Sequence, residues 1–211
     1  IRSVSSFIKL QNFLGIAISK KGEVVTLNSS GDLMKINPDN GRIYWTVNTS
    51  NSMSAFETDF FKNSDLVISD DEIIFSTSSS LYSVNLSNGY LNWKIGMNSI
   101  GTPIIDNENI FLVTENGFFI NVERISGKIS WSINVFKKFK EKHITRITGF
   151  IMGSGKIYAF TENGYLIVCS ASTGDVEYSD KFIRDRITGN PIISDGSLYI
   201  LTENSRIIGF N

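Results

Sequence analysis

The chain has 211 residues, of which 41% are hydrophobic and 12% aromatic, a composition typical of an ordered globular protein and unlike that of a disordered one. Its net charge of −1 at pH 7 excludes the basic surface expected of a nucleic-acid-binding protein. The single cysteine, Cys169, excludes an internal disulfide, and no apolar run reaches the roughly 18 residues of a membrane helix.

An 18-residue pattern recurs along the chain. Four full copies and a shorter fifth copy occupy residues 28–45, 76–93, 114–131, 161–178 and 202–211. The fourteenth place of every full copy is glycine and the eighteenth is aromatic: Gly41, Gly89, Gly127 and Gly174, then Trp45, Trp93, Trp131 and Tyr178. Successive copies begin 38 to 48 residues apart. Recurrence at this distance indicates a repeat architecture.

In chain order, the repeats predict short strands separated by turns. A run such as EVVTL or KIYAFT is rich in β-formers and leads into a turn that often contains glycine. A second strand such as YLIVCS follows, then a turn ending at the fourteenth-place glycine, and then the strand with the Trp. A lead-in such as ITGNPIISD supplies a fourth strand. The sequence therefore predicts an all-β protein, a β-propeller of four-stranded antiparallel blades, with about four and a half blades present.

The repeat columns predict how blades contact one another. We expect the sixth- and ninth-place side chains to face neighbouring sheets, and the terminal Trp to dock on the adjacent blade. Cys169 occupies the ninth place, where other copies have Ile36, Val84 and Val122, so we expect a buried apolar role for it.

The endings GRIYW, GYLNW and GKISW resemble the tryptophan-docking repeat of the pyrroloquinoline-quinone (PQQ) propeller superfamily. Within it, the chain is similar to the BamB family, because ITGNPIISDGSLYILTENSRIIGFN stops after two strands and a turn. The resemblance implies an eight-bladed ring whose other half precedes Ile1. Alternatively, Ile1 to Leu10 closes a five-bladed ring. A half-propeller would expose a sheet face and edge, so we expect it to self-associate or to pair with its missing half.

The same resemblance implies a function. BamB-like proteins are periplasmic lipoproteins that act as non-enzymatic scaffolds in outer-membrane β-barrel assembly. The implied partners are the periplasmic domains of a BamA-like protein and unfolded outer-membrane proteins, with the membrane reached only through a lipid anchor outside this segment. The alternative is a propeller that binds PQQ or another small ligand, related to the quinoprotein dehydrogenases. Alcohol dehydrogenases of that group use a vicinal cysteine pair, which this segment lacks.

Individual polar residues give no catalytic or metal site. The lone His143 lacks the partners of a zinc site, and the acidic strings SDDE and DNEN occupy hairpin turns rather than a calcium loop. We therefore predict no catalytic, cofactor-binding or metal-binding residue. Two inserts, 50–66 and 134–145, interrupt the repeat, and the first offers a possible partner-binding loop with Met53, Phe56, Phe60 and Phe61.

Overall fold

A computed structural model describes residues 15–28, 31–48, 64–77, 79–99, 101–138 and 146–210. Its 19 strands, in chain order, are β1 Gly15–Ile18, β2 Val24–Leu27, β3 Asp32–Ile36, β4 Ile43–Asn48, β5 Val67–Ser69, β6 Glu72–Ser76, β7 Leu81–Asn85, β8 Leu91–Ile95, β9 Ile104–Asp106, β10 Asn109–Val113, β11 Phe118–Glu123, β12 Ile129–Asn134, β13 Ile147–Gly153, β14 Lys156–Thr161, β15 Tyr165–Ser170, β16 Val176–Lys181, β17 Ile192–Ser194, β18 Ser197–Leu201 and β19 Ile207–Phe210. A single turn of helix, α1 Val135–Lys138, follows β12. No helix of the described ranges is long and apolar enough to span a bilayer.

The strands form five sheets that follow the repeat. The first four sheets each contain four strands in sequence order, namely β1–β4, β5–β8, β9–β12 and β13–β16, and the fifth contains β17–β19. All neighbouring strands are antiparallel. Each sheet is therefore a meander, as the repeat predicts.

Tight hairpins join the first two strands of the later sheets. Asp70, Asn107, Ser154 and Asp195 each begin the turn with a positive φ of about 50°. Short polar residues tolerate this left-handed conformation better than branched ones do. The strings SDDE, DNEN, GSGK and SDGS are thus equivalent hairpins.

The chain divides into two compact units, residues 1–103 and 104–211. In the first unit, Val25, Leu27 and Leu33 of the first sheet pack against apolar residues of the second sheet. The contacted cluster includes Phe75 and Tyr82, whose rings stack with their centroids 4.9 Å apart. The core of this unit therefore lies between two sheet faces.

The second unit repeats this arrangement. Phe160 of the fourth sheet forms a cluster with Ile187 and Ile200, the latter on β18 of the fifth sheet. Phe182 joins the cluster and contacts Phe210 of β19, with ring centroids 4.5 Å apart. Flat sheets bury both faces in this way only by packing on one another.

The second copy of the repeat, residues 76–93, does not match the other copies residue by residue in its first places. The amide of Thr114 donates to Phe118 O and that of Thr202 to Arg206 O, whereas the amide of Thr77 donates to Ser80 O. The turn between β6 and β7 is therefore one residue shorter, and Thr77 rather than Ser76 is equivalent to Thr114. From the sixth place onward, the alignment is unaffected.

Candidate functional site

Trp45 joins the first sheet to the second. Its indole Nε1, on β4, donates a hydrogen bond of 3.1 Å to the carbonyl oxygen of Leu86, in the turn after β7. Gly89 in the same turn has a φ of +77°, and a Cβ there would lie 2.8 Å from Cε3 of Trp45. The indole ring therefore packs directly on Gly89, and any residue with a Cβ would clash with the ring at this position.

Trp131 makes the same joint in the second unit. Its Nε1 donates to Ala171 O over 3.2 Å, and a Cβ at Gly174 would lie 2.7 Å from Cε3 of Trp131. The ring of Phe111 lies 6.2 Å from that of Trp131, between centroids. The contacts of Trp131 with Ala171 and Gly174 therefore connect the third sheet to the fourth.

The other members of the predicted docking set have different surroundings. Gly41 and Gly127 have φ values of +70° and +69°, and a Cβ at Gly41 would meet no atom within 4 Å. Trp93 is half-buried on β8, while Tyr178 on β16 is exposed. The structure brings Trp45 to Gly89 and Trp131 to Gly174, and the docking role of the complete set stays a prediction.

The acidic turns have protein partners. Oδ1 of Asp71 accepts from Ser87 Oγ at 2.6 Å and its Oδ2 from Asn85 Nδ2 at 3.0 Å. These bonds tie the β5–β6 hairpin to the turn after β7. In the DNEN turn, Asn107 O accepts from Arg124 Nη1 at 3.4 Å. Across the described ranges, no three His, Cys, Asp or Glu side chains cluster as a metal site would require.

The repeated glutamate of the TEN turns is part of ion pairs. Glu115 Oε1 lies 3.0 Å from Arg146 Nη2. In the next repeat, Glu162 pairs with Arg186, which also lies 3.5 Å from Glu203. Each arginine precedes the lead-in strand of a following sheet, so these pairs link consecutive sheets and have a structural role.

One ion pair is largely buried. Lys35 Nζ on β3 lies 2.9 Å from Glu23 Oε2, and the side chains are only 10% and 17% exposed. The hydrogen bond from Lys35 lowers the pKa of Glu23 from its ordinary value of 4.5, although burial acts in the opposite direction. Ser19 Oγ also donates to Glu23 and supports the charged form.

A second ion pair lies at the surface. Lys156 Nζ on β14 and Glu177 Oε2 on β16 are 2.6 Å apart. The hydrogen bond to Glu177 raises the pKa of Lys156. Both groups are well exposed, so the pair is expected to contribute little to stability.

In three of the four full sheets, the last strand begins with an exposed apolar residue. The strands β4, β8 and β12 each lie at one end of their sheet, and each begins with an exposed apolar residue: Ile43, Leu91 and Ile129. The sequence reading missed these residues. The signal was available, because the sixteenth place of every full copy is apolar.

The remaining residues named in the sequence analysis do not take part in the contacts described above. Cys169 is buried on β15, as its column indicates. The possible partner loop with Met53, Phe56, Phe60 and Phe61 lies outside the described residues, as do His143 and Ile1 to Leu10.

Comparison with known proteins places these features in a family. The family described as "Outer membrane protein assembly factor BamB" matches residues 10–133. Two curated relatives carry the same description: one from Moranella endobia is 21% identical over 192 residues and one from Shewanella oneidensis is 24% identical over 192 residues. These alignments cover 85% and 84% of this chain but 46% and 45% of the relatives, so the chain spans about half their length.

Solved structures show the fold. BamB from Moraxella catarrhalis superposes with a TM-score of 0.69 over 93% of this chain and 57% of that one, at 18% identity. The β-propeller domain of Cps50 (Swd1) from Myceliophteria thermophila gives a TM-score of 0.68 at 12% identity, covering 93% of this chain and 63% of that one. The prediction of a PQQ-repeat propeller with four-stranded blades is confirmed. The chain belongs to the BamB family of outer membrane protein assembly factors.

Proposed function

We propose that this chain is part of a non-enzymatic scaffold for the assembly of outer-membrane β-barrel proteins. The observation that carries the proposal is the BamB family match over residues 10–133. The proposed partners are the periplasmic domains of a BamA-like barrel-assembly protein and unfolded outer-membrane proteins. The proposed location is the periplasmic side of the outer membrane, with a lipid anchor on the full-length protein.

Rigid sheets suit a scaffold. Buried sheet faces and the Trp45–Gly89 and Trp131–Gly174 contacts fix the sheets of each unit against their neighbours. We extend this to the whole docking set and propose that the five repeats form one partial propeller. Such a scaffold can present loops and strand edges without rearranging.

The exposed last strands offer a means of holding an extended client. Main-chain groups on the free edge of a sheet can pair with an added strand, and side chains at that edge select apolar residues. Ile43, Leu91 and Ile129 give three sheets an exposed apolar side chain at that edge. Unfolded outer-membrane proteins contain alternating apolar residues, which fit such an edge.

Calorimetry tests the partner. The chain is titrated with the isolated periplasmic domains of its own barrel-assembly protein, and in parallel with PQQ plus calcium. We expect saturable binding of micromolar affinity or tighter to the periplasmic domains and no uptake of PQQ. Uptake of PQQ without binding of those domains would overturn the scaffold proposal in favour of a quinone-binding propeller.

A matched pair of variants tests the client-binding edge. Ile129→Lys places a charge on the edge strand β12, and Ile125→Lys places the same charge on an exposed residue of the preceding turn. With a urea-unfolded outer-membrane protein diluted into each variant, we expect Ile129→Lys to lose suppression of aggregation and Ile125→Lys to retain it. Equal suppression by the two variants would contradict binding at the edge.

A further inference from the structure

A small cavity lies between the first and second sheets, next to the contact of Trp45 with Gly89. Its volume is about 90 Å³. Val47 at the end of β4 lines it from the first sheet, and Tyr82 and Leu91 line it from the second. Leu91 belongs to the last strand of its sheet, β8, and is 53% exposed. The cavity is therefore a mainly apolar recess beside the edge of the second sheet.

Lys94 of β8 gives this recess a positive charge. Leu91 and Lys94 lie opposite Val84 and Tyr82 of β7, with a bulge between the two pairs, so both side chains are on the side of the cavity. Lys94 Nζ lies 4.9 Å from the centroid of the Tyr82 ring. In the part of the chain that the structure describes, Lys94 forms no ion pair, and no residue lining the cavity is acidic. The charge of Lys94 is thus not balanced by a neighbouring carboxylate.

The pair of Tyr82 and Lys94 is particular to the second sheet. The other full sheets have an aliphatic or methionine side chain opposite a small hydroxyl residue at this place. These equivalent pairs are Met34 with Thr46, Ile120 with Ser132, and Ile167 with Ser179. Since those sheets form without the tyrosine and the lysine, the repeat does not require either residue. We therefore look for a role of the pair in recognition rather than in folding.

The strand beside the cavity can accept a further strand. Across the described ranges, β8 pairs only with β7, so its outer main-chain groups are free of a ladder. When a polypeptide adds to such an edge, the main chain supplies affinity and pockets for alternate side chains supply specificity. Every second side chain of the added strand would lie on the side of the cavity.

The size of the cavity limits which side chain fits. Its volume of about 90 Å³ corresponds to roughly three water molecules, since each takes about 30 Å³ of liquid. A cavity that holds benzene measures about 150 Å³. The recess therefore suits an aliphatic side chain and is too small for an aromatic ring.

Resting on the client binding proposed above, we propose that β8 selects extended segments with an aliphatic residue followed or preceded, two positions away, by Asp or Glu. The aliphatic side chain occupies the cavity, and the carboxylate pairs with Lys94. Residues two positions apart face the same side of a strand, so one added strand can make both contacts. Charge complementarity with an unbalanced lysine favours such a segment over one that carries a basic residue there.

The preference is tested with three short labelled peptides of alternating threonine and valine. The first has a central leucine with glutamate two positions later, the second replaces that leucine by tryptophan, and the third replaces the glutamate by lysine. Fluorescence anisotropy measures their binding to the 211-residue chain. We expect the leucine–glutamate peptide to bind about tenfold more tightly than either of the others. Equal affinity for the three peptides would overturn the proposal.

Two variants with matched controls locate the binding. Val47→Phe fills the cavity and should abolish the preference for leucine over tryptophan, whereas Thr46→Phe adds the same ring on the opposite, exposed side of β4. Lys94→Glu should reverse the charge preference and bind the leucine–lysine peptide best, whereas Lys128→Glu reverses an exposed charge elsewhere and should behave as the wild type. Far-UV circular dichroism verifies that each variant is folded. An unchanged charge preference in Lys94→Glu would refute recognition at this site.

The same preparations separate this inference from the scaffold proposal. The wild type is also tested for binding of the periplasmic domains and for suppression of the aggregation of a urea-unfolded outer-membrane protein. Success in both of those assays with no binding of any peptide would overturn the selective cavity and leave the scaffold intact. Failure in all three assays would overturn both proposals.

Discussion

The indole nitrogen of Trp131 donates a hydrogen bond to the carbonyl oxygen of Ala171, 3.2 Å away and 40 residues later in the chain. Trp45 makes the corresponding bond to Leu86 across 41 residues. In both cases the acceptor precedes, by three residues, the glycine on which the ring lies. The recurring Trp and Gly of the sequence are therefore two sides of one contact between consecutive sheets.

Truncation of Trp131 tests the strength of this contact. Trp131→Ala removes the hydrogen bond and the packing on Gly174 and Phe111, and we expect it to lower the free energy of unfolding by about 3 kcal/mol. Trp131→Phe keeps most of the packing but leaves Ala171 O without its donor, so a loss of about 1 kcal/mol is expected. Urea unfolding followed by far-UV circular dichroism measures both. Equal, negligible losses would show that the joint does not stabilise the fold.

Substitutions at Gly41 and Gly174 distinguish the cost of backbone strain in a turn from the cost of a clash with a tryptophan ring. Gly41 and Gly174 have similar φ values, +70° and +76°, but only a Cβ at Gly174 would meet a tryptophan ring, 2.7 Å away. Gly41→Ala should therefore lower the free energy of unfolding by about 1 kcal/mol through backbone strain alone. Gly174→Ala should lower it by at least about 2 kcal/mol, since overpacking is added to that strain. Similar losses in the two variants would contradict close docking of Trp131 on Gly174.

Much of the fold could be predicted from the sequence because each copy of the repeat has the same succession of strand-forming runs and turn residues. The columns of Gly and Trp indicated four-stranded units, and the structure has four full sheets and one of three strands. The shortened turn at Thr77 was missed, because serine-rich residues around it fit either alignment. Loss of one residue from a turn does not change the apolar–polar alternation within the following strand. That alternation therefore does not indicate that the turn is shorter.

The candidate sites were harder to predict. Alternation along β12 predicts which of its residues share a face, but the edge position of Ile129 depends on β12 being the last strand of its sheet, which no column of the repeat records. The possible partner loop at Met53 lies outside the described residues and stays a prediction.

The Glu23–Lys35 pair predicts a dependence of stability on pH. Its hydrogen bond with Lys35 lowers the pKa of Glu23 in the folded protein below that of the unfolded chain. The pair therefore contributes stability above the unfolded-state pKa, and this contribution is lost as the pH falls through the folded-state pKa. We expect the free energy of unfolding to fall more steeply in the wild type than in Glu23→Gln as the pH falls below the ordinary glutamate pKa of 4.5.

Urea unfolding at a series of pH values measures this difference. Asp39→Asn is a matched control, because it removes a carboxylate from an exposed turn of the same sheet. That variant should follow the wild-type pH profile. Parallel profiles for the wild type and Glu23→Gln would show that the buried pair does not hold the carboxylate in its charged form.

Asn121 marks a position where the sequence is not optimal for stability. Its Oδ1 is buried and accepts no hydrogen bond, whereas the equivalent residue of the next sheet is Val168. An unsatisfied buried acceptor destabilises the folded state by about 1–3 kcal/mol. Asn121→Val should therefore raise the free energy of unfolding by about 1 kcal/mol and raise the melting temperature.

The second sheet supplies the control for Asn121. Ser83, at the same place of the repeat, donates to Glu72 and accepts from Asn92 Nδ2 at 2.9 Å. Ser83→Ala leaves both of those partners without the hydroxyl and should lower the free energy of unfolding by about 1–2 kcal/mol. We therefore expect Asn121→Val to raise the melting temperature and Ser83→Ala to lower it, if the stability of this position depends on whether its polar side chain is fully hydrogen-bonded. A lower melting temperature for Asn121→Val would show that the Asn121 amide stabilises the sheet through its nitrogen.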